Sequence, residues 1–163
     1  MDRSASTPPS GAAARRLHDF LAGPWETAHL VDFHTRHKLE LFSHHVQNYR
    51  SLGRLVASAG SAGRTELESR YRALFLQTLA VPQTRRRHVD TMSHALGHLR
   101  GRADDVTRRA LKELIEQYST GTVELDDVRA ELCNNALTHN VQYLADQSYF
   151  ADLRASGGAR RSP

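Results

Sequence analysis

The sequence predicts an all-α protein, a single irregular helical bundle of about six helices with disordered termini. Three observations predict this fold class. Apolar residues recur at helical spacing between residues 25 and 153, and no stretch alternates for long enough to favour a strand. The segments between the periodic stretches are short, and no internal repeat is present. The 163 residues are enough for one domain with a sizeable core and too few for two ordinary domains.

The first two predicted helices meet at a histidine-rich junction. We predict one helix over residues 27–42, beginning at Thr27 or just before it. The next helix covers residues 46–59 and ends at the sequence GSAGR, whose glycines favour a break.

Capping signals place the next two helices. In TELESRYRALFLQTLA, Thr65 stands three residues before Glu68, which is the capping-box pattern, and Pro82 ends the helical segment. Thr84 is the predicted cap of the following helix, TRRRHVDTMSHALGHLRGR.

The last two predicted helices lie in the acidic part of the chain. The segment DDVTRRALKELIEQYSTG is amphipathic, and Gly121 lies just past its end. Its predicted apolar stripe consists of Val106, Ala110, Leu114 and Tyr118. A shorter helix over residues 127–138 leads into NVQYLADQSYF, for which the pattern predicts no defined element.

Both ends of the chain lack periodic apolar residues. The segments MDRSASTPPSGAAARR and ASGGARRSP are rich in small and polar residues, glycine and proline. We therefore predict a disordered N-terminal tail over residues 1–24, a helical domain over residues 25–153 and a disordered C-terminal tail over residues 154–163.

Composition excludes several classes of protein. With 39% hydrophobic and 25% charged residues, and no long apolar run, the chain is typical of soluble proteins and not of membrane proteins. The N-terminal segment has no apolar core of a secretory signal, so we expect a cytoplasmic protein. The single cysteine, Cys133, excludes an internal disulfide, a cysteine-rich zinc site and a cysteine-ligated iron–sulfur cluster. It also lies in no recognisable nucleophile motif, and we predict no cofactor.

Charge is unevenly distributed along the predicted domain. Residues 25–102 contain 12 Lys and Arg against 6 Asp and Glu, whereas residues 103–153 contain 4 against 10. Eight of the ten histidines also lie in the first of these halves. A domain with one cationic side is expected to bind an anionic partner on that side.

The segment FHTRHKLELFSHH places basic residues on the buried side of its helix. His34 and His37 fall within the apolar arc, Lys38 lies near its margin, and Arg36 lies towards the opposite face. A buried polar group without a partner costs about 1–3 kcal/mol. These histidines are therefore either core residues with local hydrogen-bond partners or members of a solvated cleft, and the sequence leaves both open.

A second basic cluster opens the helix that Thr84 caps. Arg85, Arg86 and Arg87 occupy its first turn, where the positive end of the helix dipole disfavours cations. Guanidinium groups and helix N-terminal amides both bind phosphate oxygens, so the cluster suits a phosphate ligand. For each single arginine the sequence leaves a solvated basic turn equally open. His88 borders the buried stripe of this helix, and His94 lies on the opposite face.

Histidine spacing also permits a metal site, but less is in its favour. His34 and His37, and likewise His94 and His98, have the spacing of two ligands on one helix face. There is no HExxH motif, and the neighbouring lysine and arginines would repel a divalent cation. We therefore predict no metal site.

Three sequence blocks resemble the YbgA family of helical bacterial domains. They are FHTRHKLELFSHHVQNYRSLGRLVA, YRALFLQTLAVPQTRRRHVDTMSHALGHLR and VQYLADQSYF. This family is found alone or fused behind a TudS-type thiouracil desulfurase domain, which it directs towards thiouridine in transfer RNA. The resemblance thus implies a module that binds RNA, most plausibly transfer RNA, beside a separately encoded desulfurase. The last block departs from the family pattern because it lacks prolines around its tyrosines.

These arguments lead to one functional hypothesis and two alternatives. We expect a non-catalytic RNA-binding module, whose predicted contact residues are Arg36, Lys38, Arg85, Arg86, Arg87, His34, His37, His88 and His94. We also expect the segment from Arg36 to Lys38 to approach Arg85–His88 across a helix contact and form one cleft. The alternatives are a small enzyme that uses a cleft of His, Lys and Arg on a nucleotide or phosphorylated substrate, and a protein-interaction module.

Overall fold

The computed structural model describes residues 10–153, and this part of the chain is helical without strands, as predicted. Residues 10–153 contain nine helical elements where about six were expected, and the additional ones lie at the two ends of this described part. The elements are α1 (Ser10–Ala22), α2 (Thr27–His44), α3 (Val46–Ala57), α4 (Arg64–Leu79), α5 (Arg85–Gly97), α6 (Asp105–Thr120), α7 (Leu125–Thr138), α8 (Gln142–Ala145) and a 3₁₀ helix (Ser148–Phe150). None of these helices is long and apolar enough to cross a membrane.

Helix α1 corrects the prediction of a disordered tail over residues 1–24. Ala13, Leu17 and Leu21 are spaced by four residues and form a buried stripe that packs with Trp25 against the rest of the bundle. The short, alanine-rich helix has high helix propensity. Its apolar stripe has too few residues to show a clear helical periodicity in the sequence. Residues 1–9 and the predicted tail over 154–163 lie outside the described residues.

Local chemistry explains where the helices begin and end. The Thr84 hydroxyl accepts a hydrogen bond from the Arg87 amide at 3.3 Å, so the predicted cap of α5 is confirmed. Gly121 ends α6 with φ of 83°, a left-handed conformation in which glycine is favoured. The predicted cap at Thr65 is wrong, because α4 begins after Gly63 and Glu68 pairs instead with Arg72 at 2.8 Å.

The buried stripe of α6 also differs from its prediction. Val106 is 76% exposed, whereas Leu111, Ile115 and Tyr118 are buried. The observed stripe is rotated by about one residue, because Leu111 and Ile115 offer more apolar area than Val106 and Ala110 of the predicted stripe.

Helix α2 lies between two hydrophobic clusters. Leu39 joins the cluster formed by α5, α6, α7 and the C-terminal elements. Leu30 and Leu41 join the second cluster, formed by α1, α3 and α4. A helix that is covered on both sides must bury some of its polar residues, and this constraint shapes the candidate site.

The C-terminal segment is fastened to the bundle by buried polar groups. Arg129 of α7 is 0% exposed, pairs with Asp126 and Asp152, and donates to the Tyr149 carbonyl. Burial lowers the pKa of Arg129, but the Asp152 carboxylate outweighs this effect, so the net shift is upward. The segment for which no element was predicted is therefore an ordered part of the core.

Replacement of Leu17 with Ala tests whether α1 belongs to the folded domain. Because Leu17 is 1% exposed, we expect Leu17→Ala to lower the free energy of unfolding by about 2–5 kcal/mol in urea denaturation. Leu137 of α7 is 53% exposed and provides a matched control, for which we expect a change within about 0.5 kcal/mol. Equal effects of the two substitutions would show that α1 does not pack on the bundle.

Candidate functional site

The two predicted basic clusters do not share a cleft. Helices α2 and α5 run antiparallel, since Phe42 stacks on His94 at 5.2 Å between ring centroids while Lys38 acts electrostatically on His98. Towards the other end of the contact, His44 faces His88. The predicted approach of Arg36–Lys38 to Arg85–His88 is therefore wrong, because the antiparallel register places these segments at different ends of the contact.

Arg36 and His37 line a cleft of about 530 Å³ between α1, α2 and the C-terminal segment. His37 Nδ1 donates to the Phe33 carbonyl at 2.7 Å, and His37 Nε2 accepts from Arg16 Nε at 3.1 Å. Burial lowers the pKa of His37, which favours the neutral ring that this geometry requires. Both ring nitrogens of His37 are thus occupied, and Arg36, unlike His37, is exposed at the rim.

Of the three arginines at the start of α5, two bind the protein itself. Arg85 donates to the Tyr118 carbonyl and lies over the Tyr118 ring at 4.6 Å, and Arg87 donates to the Pro82 carbonyl at 2.6 Å. Arg86 is exposed and makes no hydrogen bond or salt bridge with any residue in 10–153. The helix N-terminus thus offers a ligand one uncommitted guanidinium rather than three.

His34 and His88 are core residues. His34 Nδ1 is hydrogen-bonded to the Tyr71 hydroxyl at 3.1 Å, and His88 Nδ1 to the Tyr149 hydroxyl at 2.8 Å. Burial lowers the pKa of His34 to about 4, with a smaller effect of Lys38. Burial also lowers the pKa of His88 to about 4. Of the two interpretations that the sequence left open, the structure supports core histidines with local partners.

A third arrangement, absent from the predictions as a whole, surrounds Lys38. His34, Lys38 and Phe42 are spaced by four residues and form one stripe of α2. Tyr49 of α3 and His94 of α5 contact this stripe, and Tyr143 of α8 contacts His98 at the end of α5. We call the set the Lys38 cluster, and its members are His34, Lys38, Phe42, Tyr49, His94, His98 and Tyr143.

Successive ring contacts connect the aromatic and histidine members of the Lys38 cluster. Tyr49 is stacked with His34 at 6.5 Å and meets Phe42 edge-on at 5.6 Å. His98 meets His94 at 5.3 Å and Tyr143 at 4.8 Å. The stacking of Phe42 on His94 joins these two groups into one series from His34 to Tyr143.

The cluster combines a cation with aromatic faces and unsatisfied ring nitrogens. Lys38 is half-buried and forms no salt bridge with any carboxylate in residues 10–153. The Nε2 atoms of His34 and His98 are buried and have no hydrogen-bond partner in this part of the chain. Burial, with His94 and Lys38, lowers the pKa of His98, and burial raises that of Tyr143. Aromatic faces suit a planar ring, and the lysine suits an anionic group.

The structure assembles only part of the predicted site. Of the predicted contact residues, His34, Lys38 and His94 lie in the Lys38 cluster, while the others are distributed over the bundle. The spacing of His34, Lys38 and Phe42 in the sequence already indicated one helix face. No sequence signal links Tyr49 and Tyr143 to that face, because they reach it only through tertiary packing. No group of three or more potential metal ligands occurs among residues 10–153.

The buried histidines predict a pH dependence of stability. The pKa of 6.5 expected for His34 and His88 in the unfolded chain falls to about 4 on folding, so the unfolded chain binds protons that the folded chain does not. The stability that the neutral histidines contribute is fully present above about pH 6.5 and is lost as the pH falls towards 4. In urea denaturation, we expect each histidine to lower the free energy of unfolding by about 2 kcal/mol when the pH falls from about 7.5 to about 5.

The variant His88→Gln isolates this effect. We expect it to reduce the difference in unfolding free energy between the two pH values, whatever its effect on stability at either pH alone. His18, whose side chain is 73% exposed, is replaced in the same way as a control. An unchanged pH difference in His88→Gln would show that His88 is not held neutral by the fold.

Comparison with known proteins identifies a family. No solved structure matches the chain. It is 28% identical over 135 residues to the uncharacterized protein YbgA of Escherichia coli (strain K12), and the match covers 78% of this chain and 80% of that protein. The family described as Protein of unknown function (DUF1722) matches residues 38–152, a range that begins at Lys38 and includes six of the seven members of the Lys38 cluster. The chain therefore belongs to the DUF1722 family, which confirms the resemblance to YbgA.

Proposed function

We propose that this chain is a non-catalytic RNA-binding module that holds an unstacked nucleotide at the Lys38 cluster. The observation that carries the proposal is a half-buried lysine without a carboxylate partner in residues 10–153, close enough to His34 and His98 to lower their pKa, in a series of aromatic and histidine side chains from four helices. Proteins recognise single-stranded RNA mainly by stacking bases on such side chains and by pairing phosphates with cations.

Exposure at the cluster supports a surface that binds a ligand. His94 is exposed, and Lys38, Phe42, Tyr49 and Tyr143 are each half-buried, so their rings and the ammonium group remain partly accessible. Tyr71, in contrast, is completely buried in the core. Tyr49 therefore offers a base a partly accessible ring, whereas Tyr71 does not.

Ring nitrogens of the cluster fit a nucleotide ligand. A buried polar atom without a partner is costly, and the Nε2 atom of His98 is such an atom, next to the exposed His94, which makes no hydrogen bond with any residue in 10–153. The polar edge of a base, a ribose hydroxyl or a phosphate oxygen would provide hydrogen bonds to these two imidazoles, whereas His34 Nε2 is enclosed in the core beside Gly53. Transfer RNA is the RNA class that the family resemblance favours, with a separately encoded TudS-type desulfurase as a cytoplasmic partner.

The second candidate is an enzyme, and the same ring nitrogens favour it. Neutral histidines beside a lysine are able to exchange protons with a bound nucleotide. His37, in contrast, is a poor acid–base group because Phe33 and Arg16 occupy both of its ring nitrogens. The isolated chain distinguishes the candidates, since turnover of thiolated transfer RNA without any added protein would support the enzyme and contradict the non-catalytic proposal.

Titration of a fluorescent single-stranded RNA tests the binding proposal. Loss of one stacked base costs about 1–3 kcal/mol, so we expect Tyr49→Leu to weaken binding by on the order of tenfold or more. We expect Lys38→Ala to reduce the dependence of log affinity on log salt by about 0.7, the value for one phosphate of a single strand.

Arg70→Ala is the matched control, because it removes an exposed cation from α4. We expect it to leave binding nearly unchanged, and circular dichroism should show that all three variants are folded. Wild-type affinity and salt dependence in both Tyr49→Leu and Lys38→Ala would contradict the assignment of RNA binding to this cluster.

A further inference from the structure

A second charged surface lies beside the Lys38 cluster and is not used by the proposal above. It is a groove of about 570 Å³ between the end of α5 and the start of α6. We call it the α5–α6 groove. Its polar and glycine lining consists of Ser93, Gly97, Arg100, Asp105, Arg108, Arg109 and Lys112.

The α5–α6 groove carries a net positive charge. Its four cations face one carboxylate, Asp105, which pairs with Arg108. Arg100 and Arg109 form no salt bridge with any residue in 10–153, and the Lys112 contact to Glu116 is long, at 4.0 Å between exposed side chains. Three cations are therefore open to a ligand with several negative charges. Residues 103–153 carry more acidic than basic residues as a whole. The charge of this segment therefore gave no indication that part of it lines a positively charged groove.

The groove and the Lys38 cluster lie on neighbouring faces of the same helix. Ser93 and Gly97 line the groove, whereas His94 and His98, the next residue in each case, belong to the cluster. Successive residues of an α-helix are about 100° apart, and a helix with its side chains is about 10–12 Å across. A flexible strand that crosses the end of α5 can therefore reach both surfaces.

Gly97 leaves the floor of the groove open. A Cβ atom placed at Gly97 would have no protein atom within 4 Å. The missing side chain thus creates free space beside the cations, of the kind that lets a ligand backbone approach a helix closely.

We infer that the α5–α6 groove holds the phosphodiester backbone of the RNA strand whose base is bound at the Lys38 cluster. This inference rests on the proposed function and adds the path of the strand. The strand crosses the last turns of α5, with phosphates on Arg100, Arg109 and Lys112 on one side and an unstacked base among Tyr49, His94 and Tyr143 on the other. The groove contributes charge and the cluster contributes stacking, so the two surfaces have separable effects on binding.

Two groove variants test this inference with a fluorescent single-stranded RNA at salt concentrations between about 50 and 200 mM. The first replaces Arg100, Arg109 and Lys112 with Gln, and we expect the slope of log affinity against log salt to become shallower by about 2, or 0.7 for each phosphate. The second is Gly97→Leu, whose Cβ atom enters open space and whose larger side chain narrows the groove while all charges are retained. We expect this variant to bind on the order of tenfold more weakly, because the same phosphate contacts are blocked.

Gly97→Ala is the steric control, and we expect it to retain most of the affinity because it adds one methyl group. Both substitutions replace a helical glycine with a better helix former, so weaker binding by Gly97→Leu would not result from a less stable fold. If both groove variants bind like the wild type while Tyr49→Leu weakens binding, the inference is overturned and the proposed function stands. If the wild-type chain binds no RNA, both are overturned.

Discussion

The fold depends on the hydrogen-bond and ion-pair partners of the buried polar groups of α2. Glu40 is buried among apolar residues, and its carboxylate is satisfied by Arg16 of α1 at 2.9 Å and by the Ser148 hydroxyl. The Gln147 side-chain amide accepts from the Leu39 amide and donates to the Thr35 carbonyl, the two groups that pair with each other in a regular helix. A buried charge without a partner costs several kcal/mol. The two ends of the described chain therefore have to pack on α2, and they define its surroundings.

This constraint also explains why the candidate site lies where it does. The faces of α2 that pack against α1, α4 and the 3₁₀ helix use their polar residues for internal hydrogen bonds, as His37 and Glu40 show. The remaining stripe, with Lys38 at its centre, faces α3, α5 and α8, whose contributions are aromatic rings and imidazoles rather than carboxylates. Lys38 is thus a cation whose charge the described part of the fold leaves uncompensated. Such a residue is expected where a ligand supplies the opposite charge.

The sequence predicted the parts of the fold that local patterns determine. The caps at Thr84 and Gly121 were correct because their chemistry lies within a few residues. Helix α1 was missed because its apolar stripe is short and its role depends on Arg16 meeting Glu40, 24 residues away. The burial of His34 and His37 followed from helix geometry, whereas their partners, and the contact of Tyr143 with His98, arise only when distant segments pack. Grouping all basic residues into one cleft failed because the antiparallel contact of α2 and α5 separates them.

We place the functional centre of the chain at Lys38 and the aromatic and histidine side chains of the Lys38 cluster. Histidine side-chain NMR tests this claim most directly, because imidazole signals report ligand contact at individual residues. On titration with single-stranded RNA, we expect the signals of His94 and His98 to shift with a common affinity while that of His88, buried against Tyr149, remains in place. Unchanged signals of His94 and His98 at saturating RNA would contradict the account.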